Sequence, residues 1–351
     1  MIIIKSKRRI IYEIYFPAFC KDLKDLTDKI HYFKELGVTT LWLTPIFPSP
    51  TEHGYDTTDY FNIKKEYGTL EDFDNFVKKA HKNGLEVLLD LVLCHTSSEH
   101  KMFKDSIQGK NDCYFWSDKQ LDDTWKICND NGQYYQAKWY FTMPQLNNQS
   151  KTVRDLIKDI IKFWLIDHDV DGFRLDAIKY ASGDPIPFWK WFCDEVYKIK
   201  TNAYLVGECW DTYEISNKYA KTGMKTFNFE QAGWIKHSLN TGNPLVIKND
   251  PKYDVNFLCN HDMSRISNSV GHDMNKLFKA VDMLFSLDGD VCIYYGDEIH
   301  MGLNQDCHVE QGGYGDWKVR RSMDWDRVKH ERKDPDSLFN YYKKKIKEYK
   351  K

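Results

Sequence analysis

Three carboxylates, two histidines and an arginine stand at the ends of short apolar runs in this chain. "DGFRLDAIKY" (171–180) ends one run with Arg174 and Asp176, and "AYLVGE" (203–208) ends another with Glu208. "DVNFLCN" (254–260) leads into His261 and Asp262, and "LEVLLDLVL" (85–93) leads into Cys94 and His95. Residues i and i+2 of a strand face the same side, so Arg174 and Asp176 point together. Burying such a pair costs free energy unless both groups are hydrogen-bonded and used. Two carboxyl groups facing each other across a barrel mouth suit retaining glycoside hydrolysis. One attacks the anomeric carbon; the other, with a raised pKa, protonates the leaving oxygen and later activates water, at a separation of about 5–5.5 Å. Singly, each residue has a plainer reading. An Asp after a strand commonly caps a turn, a Glu after Gly207 is commonly solvated, and a lone His95 is commonly structural. Their joint placement at four strand ends is what points to a site.

Placing those ends together is a task for the rest of the chain. Strand-like runs at 9–16, 39–45, 85–93, 171–176, 203–208, 225–230, 254–260 and 290–296 alternate with helical patterns. The helices are predicted at 24–36, 70–84, 152–168, 185–200, 275–287 and 336–349, with Thr69 as an N-cap and Gly37 and Gly84 as stops. The run 85–93 is apolar almost throughout, as expected of a parallel strand buried on both faces. Residues 96–150 break the rhythm, being polar, aromatic and irregular. The predicted fold is α/β, a (β/α)8 TIM barrel with an inserted subdomain after strand three. Residues 1–95 and 151–351 form the barrel and 96–150 the insertion. In such a barrel, groups at the carboxyl ends of the strands share one rim.

Composition narrows the partners. With 50 Lys and Arg against 52 Asp and Glu, the net charge of −2 favours neither nucleic acid nor an anionic membrane. The 15% aromatic content suits a site that stacks flat ligand faces as well as a core. The nine cysteines include no CxxC pair, which argues against a zinc ribbon or a redox motif. They read as buried thiols of a reducing compartment. The opening "MIIIKSKRRIIYEIYF" has the wrong order and length for a signal peptide. No apolar run reaches the roughly 18 residues of a membrane span. A cytoplasmic protein is expected.

The motifs also occur in a familiar order. "LWLTPIFPSPTEHGYDTTDYFNI", "DLVLCH", "MPQLN", "GFRLDAIKY", "LVGECW", "FLCNHDMSR", "CIYYGDEIHMG" and "RRSMDW" together resemble the α-amylase family, glycoside hydrolase family 13. The resemblance implies Asp176 as nucleophile, Glu208 as general acid/base, and Asp262 as the carboxylate that binds sugar hydroxyls and stabilises the transition state. It implies that Arg174 keeps the nucleophile ionised, since a nearby guanidinium lowers a carboxylate's pKa. It implies that His95 and His261 hydrogen-bond the sugar before the scissile bond, that Tyr55 stacks on that ring, and that Lys179 and Trp210 lie on the leaving-group side. The implied activity is retaining hydrolysis of α-1,4-linked glucans or maltodextrins through a covalent glycosyl-enzyme intermediate.

Several departures bear on that reading. Cys94, Gln145 and Tyr180 stand where many relatives have Asn, Asp and His, positions contributing to a calcium site. Calcium takes several hard oxygen ligands, which a thiol does not supply. No metal or other cofactor is expected. Asp56 and Arg265 are candidates to pair. In exo-acting relatives such a pair grips the non-reducing end, so an exo-acting α-glucosidase or oligo-1,6-glucosidase is an alternative. A transglycosylase, using a sugar acceptor in place of water, is another. A catalytically weakened glycan-binding homologue is the alternative of a different class. No C-terminal β-sandwich is expected, and a barrel without that neighbour exposes apolar surface that self-association would cover.

Overall fold

Eight short apolar strands pair in parallel and close on themselves. The computed structural model describes residues 8–302 and 318–350. The barrel strands are β1 (Ile10–Ile14), β2 (Thr40–Leu43), β3 (Glu86–Leu91) and β4 (Gly172–Leu175). They continue as β5 (Tyr204–Gly207), β6 (Lys225–Phe227), β7 (Asp254–Phe257) and β8 (Asp290–Tyr294). Each strand pairs with its neighbour in sequence, and β8 returns to β1. This is the predicted (β/α)8 barrel.

Period-two alternation decides what fills the barrel. Ile11, Trp42, Leu88, Tyr204, Val206, Val255, Phe257 and Cys292 form one buried cluster. The intervening residues, such as Ile10, Leu89, Phe173 and Leu205, join the larger core shared with the helices. Asp90 and Arg174 continue the inward rows of β3 and β4, and their Cα atoms are partners in register. At the start of β4, Gly172 permits a close approach: a Cβ there would stand 1.9 Å from the Tyr204 carbonyl oxygen. At the end of β5, a Cβ on Gly207 would stand 2.7 Å from Ile178 Cδ1. Gly172 lets β4 and β5 draw together beneath Asp176 and Glu208, and Gly207 makes room for the Ile178 and Met224 side chains beside Glu208.

Most of the helices follow the predicted spacing. The helix Leu70–Lys82 opens with a reciprocal cap between Thr69 and Asp72. Two predicted helices are modified. The pattern at 24–36 breaks into Leu23–Asp28 and Ile30–Leu36. Thr27 Oγ1 donates to the Leu23 carbonyl at 2.6 Å, and the Lys29 N–H turns back to Leu26 and Thr27. The pattern at 152–168 is α-helical over Lys151–Lys162 and widens to a π turn over Phe163–Asp167. The strand predicted at 225–230 stops at Phe227, because the Asn228 side chain accepts from Gln231 N–H and starts a helix, Phe229–Thr241.

Between β3 and β4 the chain forms a short helix, Lys101–Ile107, and a three-stranded antiparallel sheet of Trp116–Ser117, Trp125–Ile127 and Tyr134–Gln136. An isolated bridge from His95 to Gln145 ties this segment to the chain just after β3, and one from Tyr114 to Leu146 closes the segment on itself. Eight cysteines are buried and unpaired, and Cys307 lies outside the described residues. Among the described residues no helix is long and apolar enough to cross a membrane.

Candidate active site

Arg174 is the hub of the rim. Its side chain is buried, with Nη1 donating to Asp90 and to Asp176, each at 2.8 Å, and Nη2 lying 2.8 Å from Glu208 Oε2. Its guanidinium also lies over Trp42, 5.1 Å from the ring centroid. The two candidate catalytic carboxyls thus hang on the two nitrogens of one planar fork. Glu208 Oε2 also accepts from the Ala177 N–H at 3.0 Å.

One guanidinium faces three carboxyl groups, so their charges do not balance. Burial raises the pKa of Asp90, although Arg174 opposes the shift. Burial likewise raises Asp176, and although Arg174 pulls it down, Glu208, Asp90 and Asp262 push it further up, to about 8. Arg174 thus lowers the Asp176 pKa, the direction expected from the sequence, while desolvation and like charge act against it. The cluster retains a proton at neutral pH, and that proton belongs to the group as a whole.

A second cluster has the opposite balance. His261 Nδ1 donates to Glu13 at 2.6 Å, and its Nε2 lies 2.6 Å from the Tyr55 hydroxyl and 3.1 Å from Asp262 Oδ2. Burial disfavours the imidazolium, but Asp262 and Glu13 outweigh it and raise His261 to about 10. Burial pushes Asp262 up, but His261 and Arg320 prevail and hold it well below the usual carboxylate range. Arg320 donates to Asp262 at 2.6 Å and to the His261 carbonyl at 3.0 Å. Tyr55 bridges the clusters, its hydroxyl donating to Asp90 at 3.1 Å while its ring stacks on His261 at 10°.

A cavity of about 620 Å³ opens over both clusters, and Tyr55, His95, Asp176, Lys179, Glu208, Trp210 and Asp262 line it. Lys179 donates to the Trp210 carbonyl at 2.7 Å and pairs with Asp211 at 2.9 Å. Trp210 stacks on Phe229 at 4.8 Å. His95 bonds through Nε2 to the Tyr55 carbonyl at 3.0 Å, and burial lowers its pKa to about 4, so its ring stays neutral.

Four predicted residues stand elsewhere. Arg174 lies beneath the cavity. His261 is fully buried and meets the cavity through Tyr55 and Asp262, a correction to its expected direct contact with sugar. Asp56 and Arg265 do not pair. Asp56 is buried and accepts from Ser49 and Thr51. Arg265 donates to the carbonyls of Tyr295 and Val319 and faces Asp297 at 3.6 Å. Tyr294 and Tyr295 lie against its guanidinium face, so the arginine is held by the end of β8 rather than by Asp56.

Sequence reasoning missed Glu13, Asp90, Arg320 and the aromatic wall of Trp139 and Tyr140. Glu13 in "IIYEI" and Asp90 in "EVLLDL" had a legible signal, each being the inward acid nearest the carboxyl end of an apolar strand. Arg320 opens the motif "RRSMDW", which marked the position but not its role, and the wall arrives from a loop and had no signal.

The residues at the family's calcium position do not fit that ion. The Cys94 thiol donates to the Ala177 carbonyl at 3.4 Å, and the Gln145 amide donates to the Tyr180 carbonyl at 2.7 Å. Both side chains aim protons at oxygens that a cation would need as ligands.

Comparisons with known proteins agree with this geometry. The family described as "Alpha amylase, catalytic domain" matches residues 17–351. The chain is 37% identical to Alpha-amylase 3 of Dictyoglomus thermophilum, over 96% of this chain and 76% of that one. It is 28% identical to a 4-alpha-glucanotransferase of Thermotoga maritima, over 94% and 84%. The crystal structure of an alpha-amylase from H. orenii superposes with a TM-score of 0.84 at 32% identity, covering 97% of this chain and 81% of the other.

Proposed function

Because the chain belongs to the α-amylase family, as a glycoside hydrolase acting on α-glucans, we propose that it cleaves α-1,4-linked maltodextrins internally, through Asp176, Glu208 and Asp262. The observation that carries the internal mode is the separation of Asp56 from Arg265, which removes the clamp expected of an exo-acting pocket. In the first step the proton held within the Arg174 cluster passes through Glu208, whose Oε2 lies 2.8 Å from Arg174 Nη2, to the glycosidic oxygen, leaving Asp176 ionised. Asp176 attacks the anomeric carbon as the leaving chain departs. Glu208 then takes a proton from water, which releases the sugar from Asp176. Asp262, ionised beside His261 and Arg320, is placed to stabilise the positive charge that develops on the sugar ring.

A second outcome, transfer to a sugar acceptor, is favoured by one observation. Trp139, Tyr140 and Tyr180 line the cavity together with Lys179 and Trp210 and keep exposures of 36%, 51% and 38%. An apolar wall on the leaving-group side holds an acceptor against Asp176 and competes with water. The buried thiols support a cytoplasmic location. The partner in this reading is the glucan itself, with no nucleic acid, membrane or cofactor.

A product time course tests the proposal. Mid-length maltodextrins appearing first from maltoheptaose, with isomaltotriose untouched, are expected. Glucose released first, above all from isomaltotriose, would overturn the internal mode. Products longer than maltoheptaose would establish transfer.

A further inference from the structure

Asp176 sits on an unusual turn. Ala177, immediately after it, has φ +46°, in the left-handed region that a residue with a Cβ rarely adopts. The surrounding contacts must hold that turn. The Ala177 N–H is taken by Glu208, and its carbonyl accepts from the Cys94 thiol at 3.4 Å, with the Asp176 carbonyl 3.8 Å from the same sulfur. Three residues beyond Ala177, the Tyr180 carbonyl accepts from Gln145 at 2.7 Å. Asn148 completes the seam, donating to the Leu93 carbonyl and accepting from Ser182 N–H, both at 2.8 Å. Cys94, Gln145 and Asn148 are buried.

We propose that Cys94 and Gln145 form a metal-free tie between the inserted segment and the nucleophile loop, with Cys94 a positioning residue for Asp176. The inference rests on Asp176 being the nucleophile. A cation at this seam would pull on the same carbonyls from the same side; here two neutral donors occupy them. The tie needs the thiol to keep its proton, and burial together with the Asp176 charge raises the Cys94 pKa well above its ordinary value. A serine offers a shorter, stronger donor to the same oxygens, whereas an alanine offers none.

Kinetics of Cys94→Ala, Cys94→Ser and Gln145→Met on maltoheptaose, with Asp176→Asn as control, test the tie. An attacking oxygen displaced by a fraction of an ångström costs kcat and spares binding, so Cys94→Ala should lose about 10-fold in kcat with KM nearly unchanged. Cys94→Ser should recover most of it. Gln145→Met should fall between them. Wild-type melting temperature should be the same in EDTA and in millimolar CaCl2. Full kcat in Cys94→Ala, no recovery in Cys94→Ser, or a rise in the wild-type melting temperature with calcium would each overturn the tie. If Asp176→Asn also retains full turnover, the nucleophile assignment falls with it; if that control alone is dead, the tie fails by itself.

Discussion

Replacing Asp176 by asparagine should kill the enzyme and stabilise the protein. Burial and three neighbouring carboxyls raise Asp176 from the ordinary 3.8 to about 8. A carboxyl with a raised folded-state pKa contributes its full stability below its unfolded value and loses it as pH rises through the folded value. Between pH 3.8 and pH 7 the folded chain holds a proton that the unfolded chain releases. Just over three pH units at about 1.4 kcal/mol each set a ceiling of about 4 kcal/mol on the stability forgone at pH 7. Asparagine, always neutral, escapes that loss, while Arg174 keeps Asp90 and Glu208 as partners at 2.8 Å. The melting temperature of Asp176→Asn should therefore exceed wild type by up to about 8 °C near neutral pH, at roughly 2 °C per kcal/mol for a chain this long. The gap should widen from about pH 4 to about pH 8, the interval between the unfolded and folded values of Asp176. Turnover of maltoheptaose should fall by about 10⁴-fold or more, since no substitute nucleophile is present. Thermal melts of both proteins across this pH range, beside rate measurements, decide the matter. A variant less stable than wild type, or a gap independent of pH, would refute the charge imbalance around Arg174.

Other changes separate the remaining roles. Glu208→Gln should lose about 10²- to 10⁴-fold on maltoheptaose yet keep most of its rate of glycosyl-enzyme formation from an α-glucosyl fluoride, whose leaving group needs no acid. An equal loss on both substrates would deny Glu208 the proton transfer. Glu13→Gln should lower the pKa of His261 from about 10, read by histidine NMR. His261 is raised, so its stabilising effect is complete below pH 6.5 and fades as pH climbs to about 10; in the variant the fade should be smaller and finish at lower pH. An unmoved titration would sever Glu13 from His261. Tyr140→Ala should raise KM for maltoheptaose and lower the ratio of transfer to hydrolysis, each about 3- to 10-fold, the worth of one stacked ring. No change in either quantity would remove Tyr140 from the acceptor side.

The barrel was legible because it is built from the strongest sequence signals: eight apolar runs with helix-period segments between most of them. The rim residues were legible because they follow those runs directly. Breaks in helices were not, since they arise from single side-chain bonds such as that of Thr27 to Leu23. The helix Phe229–Thr241 was hidden behind Asn228, whose capping role depends on where the chain turns. Pairings across the fold were the least legible. Asp56 and Arg265 have complementary charges, yet each found nearer partners. The Cys94 and Gln145 positions were legible as departures; the carbonyls they serve became visible only when the nucleophile loop was in place.

The two charge clusters give the site its division of labour. Around Arg174, three acids share one cation, and the surplus negative charge is relieved by keeping a proton. Around Asp262, one acid faces His261 and Arg320, with Glu13 behind the histidine, and no proton is needed. Environments that push neighbouring carboxyls in opposite directions assign their chemistry. The Arg174 cluster has a proton to lend and a carboxylate to attack with, as a double displacement demands. Asp262 has neither a proton to give nor a reason to take one, which suits a fixed negative charge under an oxocarbenium-like ring. Tyr55 bonds both clusters, to Asp90 on one side and to His261 on the other, and so fixes how far apart these two kinds of carboxylate can stand.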